Sequence, residues 1–415
     1  MSEGPLAGVR ILDLSRVFAG PWSTQALADL GAEVIKVERP GRGDDARGLG
    51  PPFLPDRNGK DTAESAFYLS ANRNKKSIAL DLSEPRGQEI VRRFAAISDV
   101  VVENYKVGTL ERYGLDYESL RKVNPSVVYC SITGFGQTGP HRHKPGYDTL
   151  FQAMGGVMSV TGECDEAPGG GPMKVGIILA DIMTGMYAAI GILGALRHRE
   201  RTGTGQHIDL SLMDAQTAAL SHQAMYYLIS GENPKRFGTS APAVVPSQMF
   251  ECADGFIVLV VGNDPQFRRF AEVLGHPEWG SDERFASNGL RVRNRAILVP
   301  LLEEIFRRFP KAHWLERLEA AGIASGPINE ISDVFADPQV AARNMIVEVE
   351  HSSGTPLKMV ANPLRMSATP LDRYEPPPCL GQHTDELLSG VLGLDASEIE
   401  ELLQAKVVAR AHRAD

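Results

Sequence analysis

Cysteine is scarce: Cys130, Cys164, Cys252 and Cys379 are the only thiols in 415 residues. No two are spaced as a Cys-x-x-Cys pair, which excludes zinc-ribbon and thioredoxin-like readings. Four scattered thiols in a long chain fit a reducing compartment. Positive charge is also short. Lys and Arg number 43 against 52 Asp and Glu, a formal net charge of −9, so no general attraction to nucleic acid is expected. No basic stretch followed by an apolar one begins the sequence, so no secretory leader is expected and the expected location is cytoplasmic. Long apolar runs are rare. The strongest, residues 177–196, carries Asp181 and several glycines and is expected to be a buried helix, not a membrane span. No His or Cys set has metal-ligand spacing and no G-x-S-x-G elbow is present, so no metal site and no serine-hydrolase site is expected.

What is present is an ordinary globular composition, 43% hydrophobic and 23% charged, in a chain long enough for two domains. A short apolar run at 9–14, helical spacing over 20–30 and a second apolar run at 32–37 predict a βαβ opening. Runs at 77–82, 100–103 and 127–132 repeat the strand signal, and 86–97 reads as a helix starting beside Pro85. Residues 1–215 are therefore expected to form an α/β, doubly wound large domain. After a Gly-rich turn at 202–206, residues 214–230 look helical. A strand at 256–261 and a helix-rich stretch over 264–322 place a smaller α+β domain at 225–330. A last helix is expected near 397–405.

Gly134-Phe-Gly136-Gln-Thr-Gly139 matches G-x-G-x-x-G after a strand, but Pro140 and a polar segment follow where a dinucleotide site needs a helix. No nicotinamide cofactor is expected. Asp181 stands just before an apolar helical run. One reading is a helix N-cap. The other is a nucleophile, kept ionised by the positive end of the helix and able to attack an activated acyl group. Gly176 and Gly185 beside it serve either ligand approach or helix packing. Tyr147 is either a packed aromatic or a donor to a reacting carbonyl oxygen. Arg16, Arg39, Lys75, Lys76 and Arg112 lie near predicted strand ends or in loops, where cations are either solvated or hold an anion such as a phosphate. Arg47 and the cluster 141–144 are candidates for a free carboxylate.

Several stretches together carry a resemblance: LAGVRILDLSRVFAGPWSTQALADLGAEVIKVERPGRGDDAR, NRNKKSIALDL, ENYKVGTLERYGL, YCSITGFGQTGP, VGIILADIMTGMYAAIGILGALRHR and GQHTDELL. They resemble the class III CoA-transferase family over nearly the whole chain. The resemblance implies a Rossmann-like large domain, with residues 331–415 returning to it, and an interlocked homodimer. It implies coenzyme A or an acyl-CoA as substrate, small carboxylic acids as the other substrates, and no metal. Asp181 matches the family's nucleophilic aspartate. Arg16, Val17 and Ala19 match the loop lining the CoA site, and Arg39, Lys75, Asn104, Tyr105 and Arg112 match positions near the nucleotide or pantetheine.

The family also holds α-methylacyl-CoA racemases, which carry a His where this chain has Tyr147. Proton exchange needs a second acid/base group, so Tyr147 weakens that alternative. SHQAMYYLISGENPKRFGTSAPAVVPSQMF, GNDPQF, LRVRNR and GPINEISDVFADPQV resemble the succinyl-CoA:glutarate branch. The formyl-CoA:oxalate branch has a glycine-rich closing loop. The matching stretch here, Val261-Gly262-Asn263-Asp264, is less glycine-rich, which implies another lid and a longer acid. The expectation is CoA transfer from succinyl-CoA to a dicarboxylate such as glutarate through an aspartyl-CoA thioester. Tyr147 or backbone amides would stabilise the oxyanion, Arg47 would hold the second carboxylate, and the loop at Gly262 would exclude water.

Overall fold

The computed structural model describes residues 4–411. The chain divides into two compact units. One comprises the chain up to Gly156, Val175–Ser221 and everything from Gln339 onward. The other comprises Val157–Lys174 and His222–Pro338.

The larger unit is built on a mixed α/β sheet. Its strands are β1 (Arg10–Asp13), β2 (Glu33–Glu38), β3 (Lys75–Leu80), β4 (Val100–Glu103), β5 (Val128–Thr133), β6 (His207–Ser211) and β7 (Val408–Ala409), in the spatial order β7-β3-β2-β1-β4-β5-β6. All neighbours pair in parallel except the short β7, which is antiparallel to β3. Both faces are covered because the side chains alternate. Leu12, Ile35, Ile78 and Val101 pack on one side with Ile90, Val91 and Phe94 of helix α2 (Pro85–Ala96). Ile11, Val34, Val100 and Cys130 pack on the other with Leu27 of α1 (Ala19–Asp29) and Ala188, Ile192 and Leu196 of a long later helix. Strands buried on both faces explain the continuous apolar runs of the sequence. Strand order reverses at β1, whose neighbours β2 and β4 carry the chain off in opposite directions. A crevice opens there at the carboxyl ends of β1 and β4.

Three further helices complete the surroundings of that crevice: α3 (Asp148–Met154), α4 (Leu179–Thr202) and α5 (Leu212–Ala219). The expected helix over 214–230 is two helices. Leu212–Ala219 and His222–Ser230 are separated at Ser221, whose φ of 51° ends the helical path. Among the described residues α4 is the helix long and apolar enough to cross a bilayer, yet Ala180, Thr184, Ala188, Ile192 and Ala195 are buried in the unit's own core. Gly185 is a packing residue. A Cβ there would meet the Ala19 carbonyl at 2.7 Å and the Trp22 ring at 2.9 Å, so the glycine lets α1 and α4 touch.

The smaller unit holds an antiparallel sheet in the order Ala324–Pro327, Gly255–Val260, Ser247–Cys252. Helices Asp264–Leu274, Arg295–Phe306 and Lys311–Ala320 contribute Phe267, Phe270, Phe306 and Trp314 to its core. Gly262 follows the central strand, and its N–H donates to Gln266 Oε1 at 2.9 Å.

Candidate active site

β1 ends on a buried carboxylate. Asp13 accepts from the backbone N–H of Ser15 (2.9 Å), from the Ser15 hydroxyl, from Thr24 Oγ1 of α1 (2.5 Å) and from Lys75 Nζ (3.2 Å). These bonds fix the turn from β1 into α1. The next residues are fixed from two other sides. The Asn104 side chain, just past β4, accepts from Arg16 N (2.9 Å) and donates to Arg16 O (2.7 Å), and so pairs with the loop backbone as a strand would. Asp44 accepts from Val17 N at 2.9 Å and pairs with the buried Lys36 at 2.8 Å. Val17 has φ of 68°, a left-handed backbone unfavourable for a β-branched residue. Such strain persists only where surrounding bonds over-determine it, and it gathers at functional sites.

Two cavities meet at this loop. One, of about 440 Å³, is lined by Arg16, Arg39, Arg42, Tyr105 and Tyr113 among others. The other, of about 210 Å³, is lined by Arg16, Val17, Ala19, Asn104, Tyr105, Tyr147 and Asp181 among others. Arg16 and Tyr105 form a wall common to both, the Arg16 guanidinium lying 4.9 Å from the centre of the Tyr105 ring. Arg16 Nη1 pairs with Asp45 at 3.2 Å, but its Nε is buried with no hydrogen-bond partner. A buried unpaired donor beside an arginine-lined cavity is suited to an anionic ligand. The pair of cavities fits an elongated molecule with a charged end at Arg39 and Arg42 and a reactive end at Asp181.

Asp181 lies in the first turn of α4, which begins at Leu179 after Ile178. It is therefore not the N-cap, because the helix has already started two residues earlier. Burial, and then the charge of Asp148, push its carboxyl up to about 7. A carboxyl of raised proton affinity suits a group that must both attack and leave. Tyr147, 78% exposed, precedes α3 and faces the same cavity.

Of the expected ligand-binding residues, Arg16, Val17, Ala19, Asn104, Tyr105 and Arg39 line these two cavities. Gly262 lines neither, and three others in the larger unit do not either. Lys75 is buried, and its ammonium donates to Asp13, to the Pro21 carbonyl (2.9 Å) and to Asn72 Oδ1 (3.0 Å), so all three N–H groups are taken inside the fold. Arg47 is 4% exposed. It donates to Glu38 (2.8 Å), Glu64 (2.7 Å), the Tyr68 hydroxyl (2.7 Å) and the Pro378 carbonyl (3.0 Å). The expectation that Arg47 holds a substrate carboxylate is therefore corrected: its guanidinium is saturated from within. Arg112 sits exposed on the turn Glu111–Tyr113 and lines neither cavity. The loop 142–147 does reach the Asp181 cavity, with Arg142 and Lys144 beside Tyr147, and Lys106 enters from beyond β4. Asp148 was missed by sequence reasoning. Its only signal was its place next to Tyr147.

A sequence model of CoA-transferase family III matches residues 6–384. The chain belongs to that family. As a class III CoA-transferase it is similar to the succinate–glutarate CoA-transferase of Agrobacterium fabrum, 47% identical over 385 residues that cover 93% of this chain and 95% of the relative. It is 44% identical over 404 residues to the succinyl-CoA:glutarate CoA-transferase of Homo sapiens, covering 97% and 90% of the two chains. Among solved structures, a CAIB/BAIF family protein from Brucella suis superposes with a TM-score of 0.83 at 45% identity, covering 94% of this chain and all of that one.

Proposed function

We propose that this transferase moves CoA from succinyl-CoA to a small dicarboxylic acid such as glutarate through a thioester on Asp181. The observation that carries the reading is the Asp181 carboxyl lining a cavity that shares its Arg16–Tyr105 wall with an arginine-lined one. The names of the relatives supply the acid pair. An Asp181 carboxylate oxygen attacks the thioester carbonyl, the C–S bond breaks, and CoA thiolate leaves an aspartyl–succinyl anhydride. The thiolate then attacks the aspartyl carbonyl carbon, succinate departs with the bridging oxygen, and aspartyl-CoA forms. The acceptor carboxylate attacks that thioester to give the second anhydride. The thiolate takes its acyl group and restores the Asp181 carboxylate. No net proton and no ATP are consumed. Tyr147 and loop amides are the oxyanion donors of this reading.

The test is mass spectrometry of acyl-CoA species after mixing the protein with succinyl-CoA and a panel of free acids. Glutaryl-CoA or another diacid thioester is expected. Absence of any new thioester, with deuterium entering the α-carbon of a 2-methylacyl-CoA in D₂O, would replace transfer by racemisation.

With Arg47 withdrawn, Arg142 and Lys144 take over the far carboxylate in this reading. Lys144→Ala is expected to raise KM for diacids about tenfold, the order of one charge-assisted hydrogen bond, with kcat little changed. An unchanged KM in both Lys144→Ala and Arg142→Ala would remove the loop from acid recognition.

A further inference from the structure

We propose that Asp148 is a positioning residue for the transfer reaction: its carboxylate ties the first turn of α4 to α3 and stands as a fixed negative charge behind Asp181. The inference rests on the reading of Asp181 as the nucleophile. Asp148 Oδ1 accepts from the backbone N–H of Ala180 (2.8 Å) and of Asp181 itself (3.3 Å). Its Oδ2 accepts from Gln152 Nε2 at 2.6 Å. One turn along α3, Gln152 also donates to the Ile177 carbonyl (3.0 Å) and accepts from Val175 N (2.9 Å). Asp148 is 7% exposed and Gln152 fully buried. Two side chains thus hold the segment 175–181 along its length.

The electrostatic effect is the less obvious half. The first amides of a helix ordinarily stabilise a nearby carboxylate and make it a weak base. Here Asp148 accepts two of them and adds a negative charge of its own. Burial, and then this charge, raise the proton affinity of Asp181, and a more basic carboxylate is a stronger nucleophile. The other charged or titratable groups facing the cavity are Arg16 after β1, Tyr105 and Lys106 after β4, and Arg142, His143, Lys144 and Tyr147 after β5. Burial is the larger cause of the raised Asp181 pKa, and Asp148 is the charge that adds to it.

The experiment is the pH profile of succinyl-CoA:glutarate transfer for wild type and three variants, with hydroxylamine trapping of the activated aspartyl group followed by peptide mass spectrometry. Asp148→Asn keeps the shape and removes the charge, with the loss of one accepted hydrogen bond, because its amide nitrogen cannot accept from Gln152 Nε2. Its acid limb is expected about one pH unit below the wild type's, with kcat on the plateau lowered about tenfold. Asp148→Glu is expected to restore the wild-type limb. Gln152→Leu loosens the segment and leaves the charge, so it lowers kcat without moving the limb. A role in folding alone would lower rates without shifting any limb, and that pattern for Asp148→Asn overturns the proposal. If Asp148→Asn does not accumulate folded, Asp148→Ser decides by the same readout: an acid limb below the wild type's supports the proposal and an unmoved limb overturns it. Trapping separates the two readings. Label at Asp181 with an unmoved Asp148→Asn limb defeats this inference alone, and no label at Asp181 defeats the nucleophile assignment beneath it.

Discussion

Asp181→Ala is expected to abolish CoA transfer, with kcat lowered about 10⁴-fold or more, while the protein still binds CoA. The size follows from removing the nucleophile, since residual binding and oxyanion contacts cannot form the covalent intermediate. CoA binding should survive because Arg16, Arg39, Arg42 and Tyr105 surround a cavity that Asp181 does not line. Stability gives an independent check. The carboxyl has a folded-state pKa near 7, above the ordinary carboxylate value, so the folded state holds the proton more tightly than the unfolded one. Its ionisation therefore works against folding as pH rises through the interval between those values and is fully unfavourable above 7. Asp181→Ala should accordingly melt at or above the wild-type temperature at pH 8, with the advantage fading as pH falls toward 5. Asp181→Glu, which moves the carboxyl by one methylene, should lose about 10²-fold, the usual result of misplacing a reacting atom by an ångström. An Asp181→Ala protein retaining a tenth of wild-type turnover would end the aspartyl-thioester mechanism.

Arg47→Ala is expected to act on the fold. The residue joins Glu38 and Glu64 in the interior, where breaking an ion pair by removing one partner costs about 3–5 kcal/mol. Burial opposes the Arg47 cation, yet Tyr68, Glu38 and Glu64 hold its proton more firmly than in an ordinary arginine. Burial opposes ionisation of Glu38 too, but Arg47 and then Lys36 and Ser77 bring its pKa below the usual value. Glu64 goes the other way: burial lifts it to about 7 against the pull of Arg47. Without Arg47 both carboxyls should titrate higher. Protonation then relieves the unpaired charge, so the loss of stability should be largest at pH 8 and shrink as pH falls through 7. Differential scanning calorimetry across pH 5.5–8 measures this, and a Tm lowered by about 5–10 °C at pH 8 is expected for a unit of this size. KM for glutarate in the surviving folded protein should be unchanged. Wild-type Tm together with a raised diacid KM would return Arg47 to the substrate.

The parallel strands were legible because they are buried on both faces and punctuated by helical spacing. Helix 20–30 and strand 32–37 emerged as Ala19–Asp29 and Glu33–Glu38. The break at Ser221 was not legible, since no Gly or Pro marks it. Arg16, Asn104 and Tyr105 come together because β1 and β4 are neighbours at the reversal of the sheet. In sequence they are nearly ninety residues apart, and resemblance supplied what periodicity could not. Charge type is visible in a sequence, but the partner of a charge is not. Arg39 and Arg47 look alike on paper, yet one lines a cavity while the other is enclosed by carboxylates. Asp148 went unseen for a related reason. Its importance lies in three N–H groups that arrive from 175–181 and from the next turn of its own helix.

The left-handed Val17 has a consequence for recognition. Asp44, which holds its N–H, is also bound to Lys36 and caps the turn after it through Ala46 N, so the loop cannot relax without exposing a buried ion pair. A loop held this way has already lost its conformational freedom when the protein folds. An incoming nucleotide thioester meets a surface that is shaped in advance, and the entropy of ordering it falls on folding instead of on affinity.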